Sequence, residues 1–131
     1  MDLPDGLLDL LRRPSPCFLA TLDPDGSPQL TQTWVDTDGD HVVINTVPTH
    51  RKVANMRRDP RVAVNIADPE QPARYYAVRG KVVAMTEDGA REHIDELAQR
   101  YLGIPYPGFG ESADAGRLIV RIAAERISGT A

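Results

Sequence analysis

The chain is predicted to be one mainly β domain spanning residues 1–131, with about six antiparallel strands and two to three helices. Three observations predict this. Short stretches alternate apolar and polar residues with a period of two, tight-turn sequences join them, and only a few segments carry the wider spacing of a helix. A length of 131 residues suits a single core, since a chain of that size buries about two-thirds of the surface its unfolded form exposes. Apolar residues make up 41% and charged residues 26%, ordinary values for a globular protein. No apolar run approaches the roughly 18 residues of a membrane span.

The first segment, "MDLPDGLLDLLRRP", has leucines spaced for a short amphipathic helix over 1–14. Its Asp2, Asp5 and Asp9 precede the basic pair, the reverse of a secretory signal, so a soluble cytoplasmic protein is expected. "PCFLATL" follows as a buried strand, and "DPDG" at 23–26 as a turn. "SPQLTQTWVDT" then reads as one strand in which Leu30, Gln32 and Trp34 face one way and Thr31, Thr33 and Val35 the other. Asp38-Gly39 marks a hairpin into "HVVINTV".

Pro48 and Thr49 open a short helix over 48–59, with Thr49 as N-cap and Pro60 forcing its end. Val53 and Met56 are spaced to reach the core, while Arg51, Asn55 and Arg58 share another face. "RVAVNIA" and "YYAVRGKVVAMT" are strands separated by the loop "DPEQPAR", with Gly80 suggesting a bulge. Over 87–102, Ile94, Leu97, Ala98, Tyr101 and Leu102 form the clearest helical stripe, closed by Gly103 and Pro105. The loop over 104–116, with Tyr106 and Phe109 among glycines, suits a lid and a plain surface connection equally. "RLIVRIAAERISG" is apolar enough to be a central strand.

Charge is distributed unevenly. Residues 50–61 hold five of the 15 Lys and Arg residues, in a chain of net charge -4. That acidic balance argues against a nucleic-acid partner and for a smaller anion. The start of a helix already attracts anions through its unpaired N–H groups and its dipole. His50, Arg51 and Lys52 sit at that end, and Asn55 lies one turn on, so together they could cradle a phosphate. Arg57, Arg58 and Arg61 lie at the other end and read as structural. The competing reading is that the basic residues solvate an exposed face and pair loosely with nearby acids, each pair contributing under about 1 kcal/mol.

Other chemistry is sparse. Cys17 is the single cysteine and sits in an apolar run, so it reads as a buried, inert thiol. Cys and His spacing of the zinc type is absent, and no metal site is expected. His41 reads as a hairpin residue and His93 as an exposed helix residue. Neither a Ser/His/Asp set nor paired carboxylates can be identified, which leaves catalytic residues unassigned.

The run K-x-x-N-x-R-R-D-P-R at Lys52 to Arg61, with A-T-L-x-x-D-G-x-P-Q-L at Ala20 to Leu30 and the strands "HVVINT" and "YYAVRGKV", resembles the flavin/deazaflavin oxidoreductase group related to pyridoxamine 5'-phosphate oxidase. The likeness spans nearly the whole chain and is greatest to the branch that binds coenzyme F420, a deazaflavin. It implies a split β-barrel of the FMN-binding type that forms a homodimer, with the cofactor near the subunit interface. It also implies a small-molecule substrate and a hydride transfer to an unsaturated or conjugated compound. Flavin mononucleotide (FMN) is the alternative cofactor, and a non-catalytic F420 carrier the alternative role.

Carried onto this chain, the resemblance places Lys52 and Asn55 in the phosphate site. The position two before the lysine, often Arg among relatives, is His50 here, with Arg51 beside it. The ring would border Gln32, Thr33, Trp34, Asn45, Thr46 and Val47. Trp34 itself reads either as core or as a stacking platform.

Overall fold

The computed structural model describes residues 1–111 and 115–130. Seven strands form one antiparallel sheet: β1 (Cys17–Leu22), β2 (Pro28–Thr33), β3 (Val35–Thr37), β4 (Val42–Thr46), β5 (Arg61–Ala67), β6 (Tyr75–Thr86) and β7 (Leu118–Gly129). Three helices accompany them: α1 (Asp5–Leu11), α2 (Arg51–Arg58) and α3 (Ala90–Leu102). The strand order is β2-β1-β5-β6-β7-β4-β3. β2 and β3 therefore lie on opposite edges, although Trp34 alone separates them in the chain. A flat sheet could not satisfy both conditions, so the sheet curls until its edges meet at that residue. The result is the split barrel that the resemblance implied.

This closure explains the one strand beyond the expected six. The stretch 27–37 alternates without interruption, yet its first half pairs with β1 (Cys17 opposite Thr33) and its second half with β4 (Val35 opposite Ile44). Gly80 marks the expected irregularity, a register shift after Arg79. A Cβ there would sit 2.1 Å from the Ala123 carbonyl oxygen, so the close approach of β6 to β7 requires glycine.

The core lies inside the curl. Leu7 and Leu11 of α1, Leu19 of β1, Ile44 of β4, Ile66 of β5 and Ile122 of β7 are fully or almost fully buried, each contributing about 1.5–3 kcal/mol by leaving water. Val53 and Met56 anchor α2 in the same cluster, as their spacing predicted. Helix ends differ modestly from expectation. His50, in extended conformation and without a side-chain cap bond, takes the N-cap of α2 in place of Thr49. Gly103 closes α3 in the left-handed region, and its N–H reaches the Ala98 and Gln99 carbonyls at 3.2 and 3.0 Å. Among the described residues no helix is long and apolar enough to cross a membrane. Residues 112–114 of the expected 104–116 loop fall outside the described residues.

Candidate functional site

Where the sheet edges meet, a cavity of about 510 Å3 opens beside the tip of α2. Gln32, Thr33 and Trp34 reach it from the β2–β3 break, Asn45 and Thr46 from the end of β4, and His50 and Lys52 from α2. The segment after α3 supplies Tyr106, Phe109 and Glu111, and Arg117 enters just ahead of β7.

Its apolar wall is aromatic. Trp34 stacks on Tyr101 with ring centres 5.1 Å apart and planes 13° from parallel, and Tyr106 and Phe109 meet it edge-on at 6.1 and 6.4 Å. Tyr101 is locked by its hydroxyl, which donates to the Ser15 carbonyl at 2.6 Å and accepts the Val35 N–H at 3.1 Å. That bond tethers α3 to the start of β3 and fixes the face against which Trp34 lies. Burial pushes the Tyr101 phenol up to about 12 and the Cys17 thiol likewise to about 12. Both keep their protons at neutral pH.

The polar wall is cationic. Lys52 is half-buried, and burial first, then the neighbouring Arg117 charge, lowers its pKa. Among the described residues it has no acidic partner within ion-pair distance. Burial, Lys52 and Arg117 lower the pKa of His50 as well, with Glu111 opposing them. Arg117 is buried, donating from Nε to Asn45 Oδ1 at 2.8 Å and from Nη1 to Glu111 at 2.5 Å. Its guanidinium lies 5.0 Å from the centre of the Tyr106 ring.

Behind Arg117 runs a polar chain. Asn45 uses its oxygen for Arg117, so its amide N–H groups go to the Ala90 carbonyl at 2.8 Å and to His93 Nδ1 at 3.0 Å. Nδ1 must then accept, which leaves Nε2–H to face Asp36 at 2.9 Å. Asp36 also takes Arg100 at 3.0 Å. Burial pushes the Asp36 carboxyl up, but hydrogen bonds from His93 and Thr37 and the Arg100 charge outweigh it and hold the carboxyl below the ordinary range. His93 is therefore not the exposed helix residue expected, its side chain being only 11% exposed. His41 does belong to the hairpin, where it pairs with Asp38 at 2.9 Å.

Of the residues proposed from sequence, Lys52, His50, Gln32, Thr33, Trp34, Asn45 and Thr46 line this one cavity, whereas Arg51, Asn55 and Val47 do not. The guanidinium of Arg51 forks onto Asp23 at 2.6 and 2.9 Å. Asn55 donates to Thr21, Asp23 and Gln29 and accepts from Arg58, which also binds the Leu22 carbonyl. The Asn55 hydrogen bond, then the Arg51 contact, hold the Asp23 carboxyl below its usual range. One helix face thus clasps the turn after β1, while Lys52, about 100° further round, faces the cavity. Val47 is buried. Arg61 pairs with Asp59 at 2.7 Å, the structural role expected of it.

Sequence reasoning missed Arg117, Glu111 and the hydroxyl tether of Tyr101. Arg117 opens an apolar strand run, and nothing in its spacing sets it apart. The aromatic and cationic walls together suit a planar ring carrying an anionic group. Lys52 in particular is a half-buried cation whose charge a bound anion would balance.

A curled seven-stranded sheet with such a cavity at its seam is a split-barrel architecture. The pyridoxamine 5'-phosphate oxidase family model matches residues 3–131, and the chain belongs to that family. Among solved structures it is similar to an F420 reductase, with 33% identity, 96% of this chain and 98% of that one covered, and a TM-score of 0.81. A conserved hypothetical protein from Mycobacterium tuberculosis shares 28% identity over 95% of this chain and 82% of that one, with a TM-score of 0.64. HupZ of Group A Streptococcus, at 20% identity, 98% and 97% coverage and a TM-score of 0.67, shares the fold alone. No curated protein matches the chain.

Proposed function

We propose that this protein is an F420-dependent reductase that passes a hydride to a small unsaturated or conjugated substrate. One observation carries the reading: Lys52, at the tip of α2, lines the same cavity as the Gln32–Trp34 strand end and Asn45–Thr46. The 33% identity to a protein named as an F420 reductase supports the deazaflavin branch.

The reduced deazaflavin, when bound, supplies the hydride. The chain's own residues bind, orient and exclude water. Lys52 holds the phosphate, with His50 beside it. Thr46 and Gln32 offer hydrogen bonds to the polar edge of the ring, and Asn45 borders it with its side chain committed to Arg117, Ala90 and His93. The Trp34–Tyr101 stack and the edge-on Tyr106 and Phe109 form an apolar wall against the reacting face. Cys17 and Tyr101, protonated at neutral pH, offer no base there. Arg51 and Asn55 act indirectly in this reading, fixing the orientation of α2 through Asp23.

The family match also favours FMN, whose single phosphate suits the same cations. Fluorescence titration of the purified protein with coenzyme F420 and, separately, with FMN decides between them: tighter F420 binding is expected, and FMN binding alone overturns the deazaflavin assignment. Oxidation of reduced F420 in the presence of an electron acceptor separates a reductase from a carrier. We also propose a cytoplasmic homodimer with the cofactor at its interface. Support comes from Phe18 and Leu30, exposed on the outer face of the sheet; light scattering tests the oligomer, and a monomer would contradict it.

A further inference from the structure

Among the described residues lining the cavity, Glu111 is the single acid, set beside the basic side chains of Lys52, His50 and Arg117. One of its carboxylate oxygens takes both the Arg117 Nη1 donor at 2.5 Å and the Tyr106 hydroxyl at 2.8 Å. Burial and that hydrogen bond raise the Tyr106 phenol above its ordinary range, so it remains a donor at neutral pH.

The two halves of this ion pair are held very differently. Arg117 is anchored from behind by Asn45, which is fixed in turn by Ala90 and by the His93–Asp36 pair. Three secondary-structure elements, β4, α3 and β3, therefore hold the cation in place. Glu111 belongs to no helix or strand, and it follows Pro105, Pro107, Gly108, an exposed Phe109 at positive φ, and Gly110. The cation's seat is built into the fold, whereas its acid hangs on an irregular connection.

We propose that Arg117 is the receptor for an anionic group, a carboxylate or phosphate, on a planar ligand, and that Glu111 is an internal placeholder which that group displaces. The proposal rests on the reading of this cavity as the ligand site. A buried guanidinium without a counter-charge is strongly unfavourable, more so beside Lys52, so a carboxylate must balance it whenever no anionic ligand is bound. Replacing one carboxylate by another anion preserves the charge-assisted hydrogen bonds to Arg117. A neutral ligand offers no such exchange and leaves Glu111 seated. The cavity then selects ligands by charge, and the placeholder lowers the apparent affinity for anions by the fraction of time it occupies the seat.

The anion could belong to the cofactor or to a separate substrate, and two probe pairs distinguish these sources. Calorimetric titration compares FMN with riboflavin, which lacks the phosphate. It also compares 4-nitrobenzoate with nitrobenzene, on the protein alone and on protein saturated with coenzyme F420. In Glu111→Gln the preference for the anion over its neutral partner should rise at least threefold in one pair or the other. The pair that moves identifies the source. In Arg117→Met the same preference should fall at least tenfold. Should Arg117→Met fail to fold, the Glu111→Gln titrations still decide. Preferences unchanged or reduced in both pairs for Glu111→Gln overturn the proposal. Wild-type protein that binds neither FMN nor F420, while the nitrobenzoate preference still shifts, refutes the cofactor reading and leaves the placeholder standing.

Discussion

Replacing Lys52 separates a ligand-binding role from a structural one. Its side chain is half-buried, has Arg117 as a like-charged neighbour, and has no acidic partner among the described residues. Removing a charged hydrogen bond to a bound phosphate loses about 1.5–3 kcal/mol, a factor of roughly 10–150 in affinity. A structural lysine would lose stability as well. Here the opposite is expected, because burial and repulsion from Arg117 both disfavour the charge when no anion is bound. Lys52→Met keeps the apolar stem and removes only the charge, and Lys52→Ala removes both. Both variants should bind the cofactor at least about tenfold more weakly, roughly 1.4 kcal/mol. Lys52→Met should melt no lower than wild type. Calorimetric titration and thermal melts provide the two readings. Unchanged affinity in Lys52→Met would remove this residue from the site, and lost affinity accompanied by a lower melting point would make it structural.

Three other outcomes follow from the geometry. The pKa of Lys52 lies below the ordinary 10.5 in the folded chain, so between that lowered value and 10.5 the folded chain holds fewer protons than the unfolded one: the stability contribution of this group rises with pH up to 10.5, and affinity for an anionic cofactor falls over the same window. Titrations from pH 7 to 10.5 should show that fall in wild type but not in Lys52→Arg, and a fall of equal size in both would refute the assignment. Tyr101→Phe leaves the Ser15 carbonyl and the Val35 N–H without their hydroxyl partner, at a cost of about 1–3 kcal/mol. Thermal melts should show a drop of several degrees, and an unchanged melting point would mean the tether is dispensable. Gly80→Ala drives a methyl group onto the Ala123 carbonyl, and since backbone must move, denaturant unfolding should show a loss of about 1–3 kcal/mol; no loss would refute the close approach of β6 to β7.

What could be read from sequence was what local spacing encodes. The stripe through Ile94, Leu97 and Ala98 gave α3, and the long apolar run after Arg117 gave an interior strand. The break at Trp34 was not legible, because alternation continues straight through it and only closure of the sheet demands it. Side-chain direction on α2 was also hidden. The spacing of Arg51, Asn55 and Arg58 put them on one face, but the Asp23 turn that this face clasps lies 28 residues away from Arg51. Arg117 depends on Asn45, 72 residues distant, and His93 on Asp36, 57 residues distant. Contacts of that kind exist only once the barrel has closed, so a residue's neighbours in sequence carry no trace of them.

The most direct test of the cofactor site is a crystal structure of the protein soaked with coenzyme F420. The account predicts the phosphate within hydrogen-bonding distance of Lys52 Nζ and the deazaflavin ring between the Gln32–Trp34 strand end and Thr46. A tail anchored elsewhere, with Lys52 turned to bulk solvent, would contradict it.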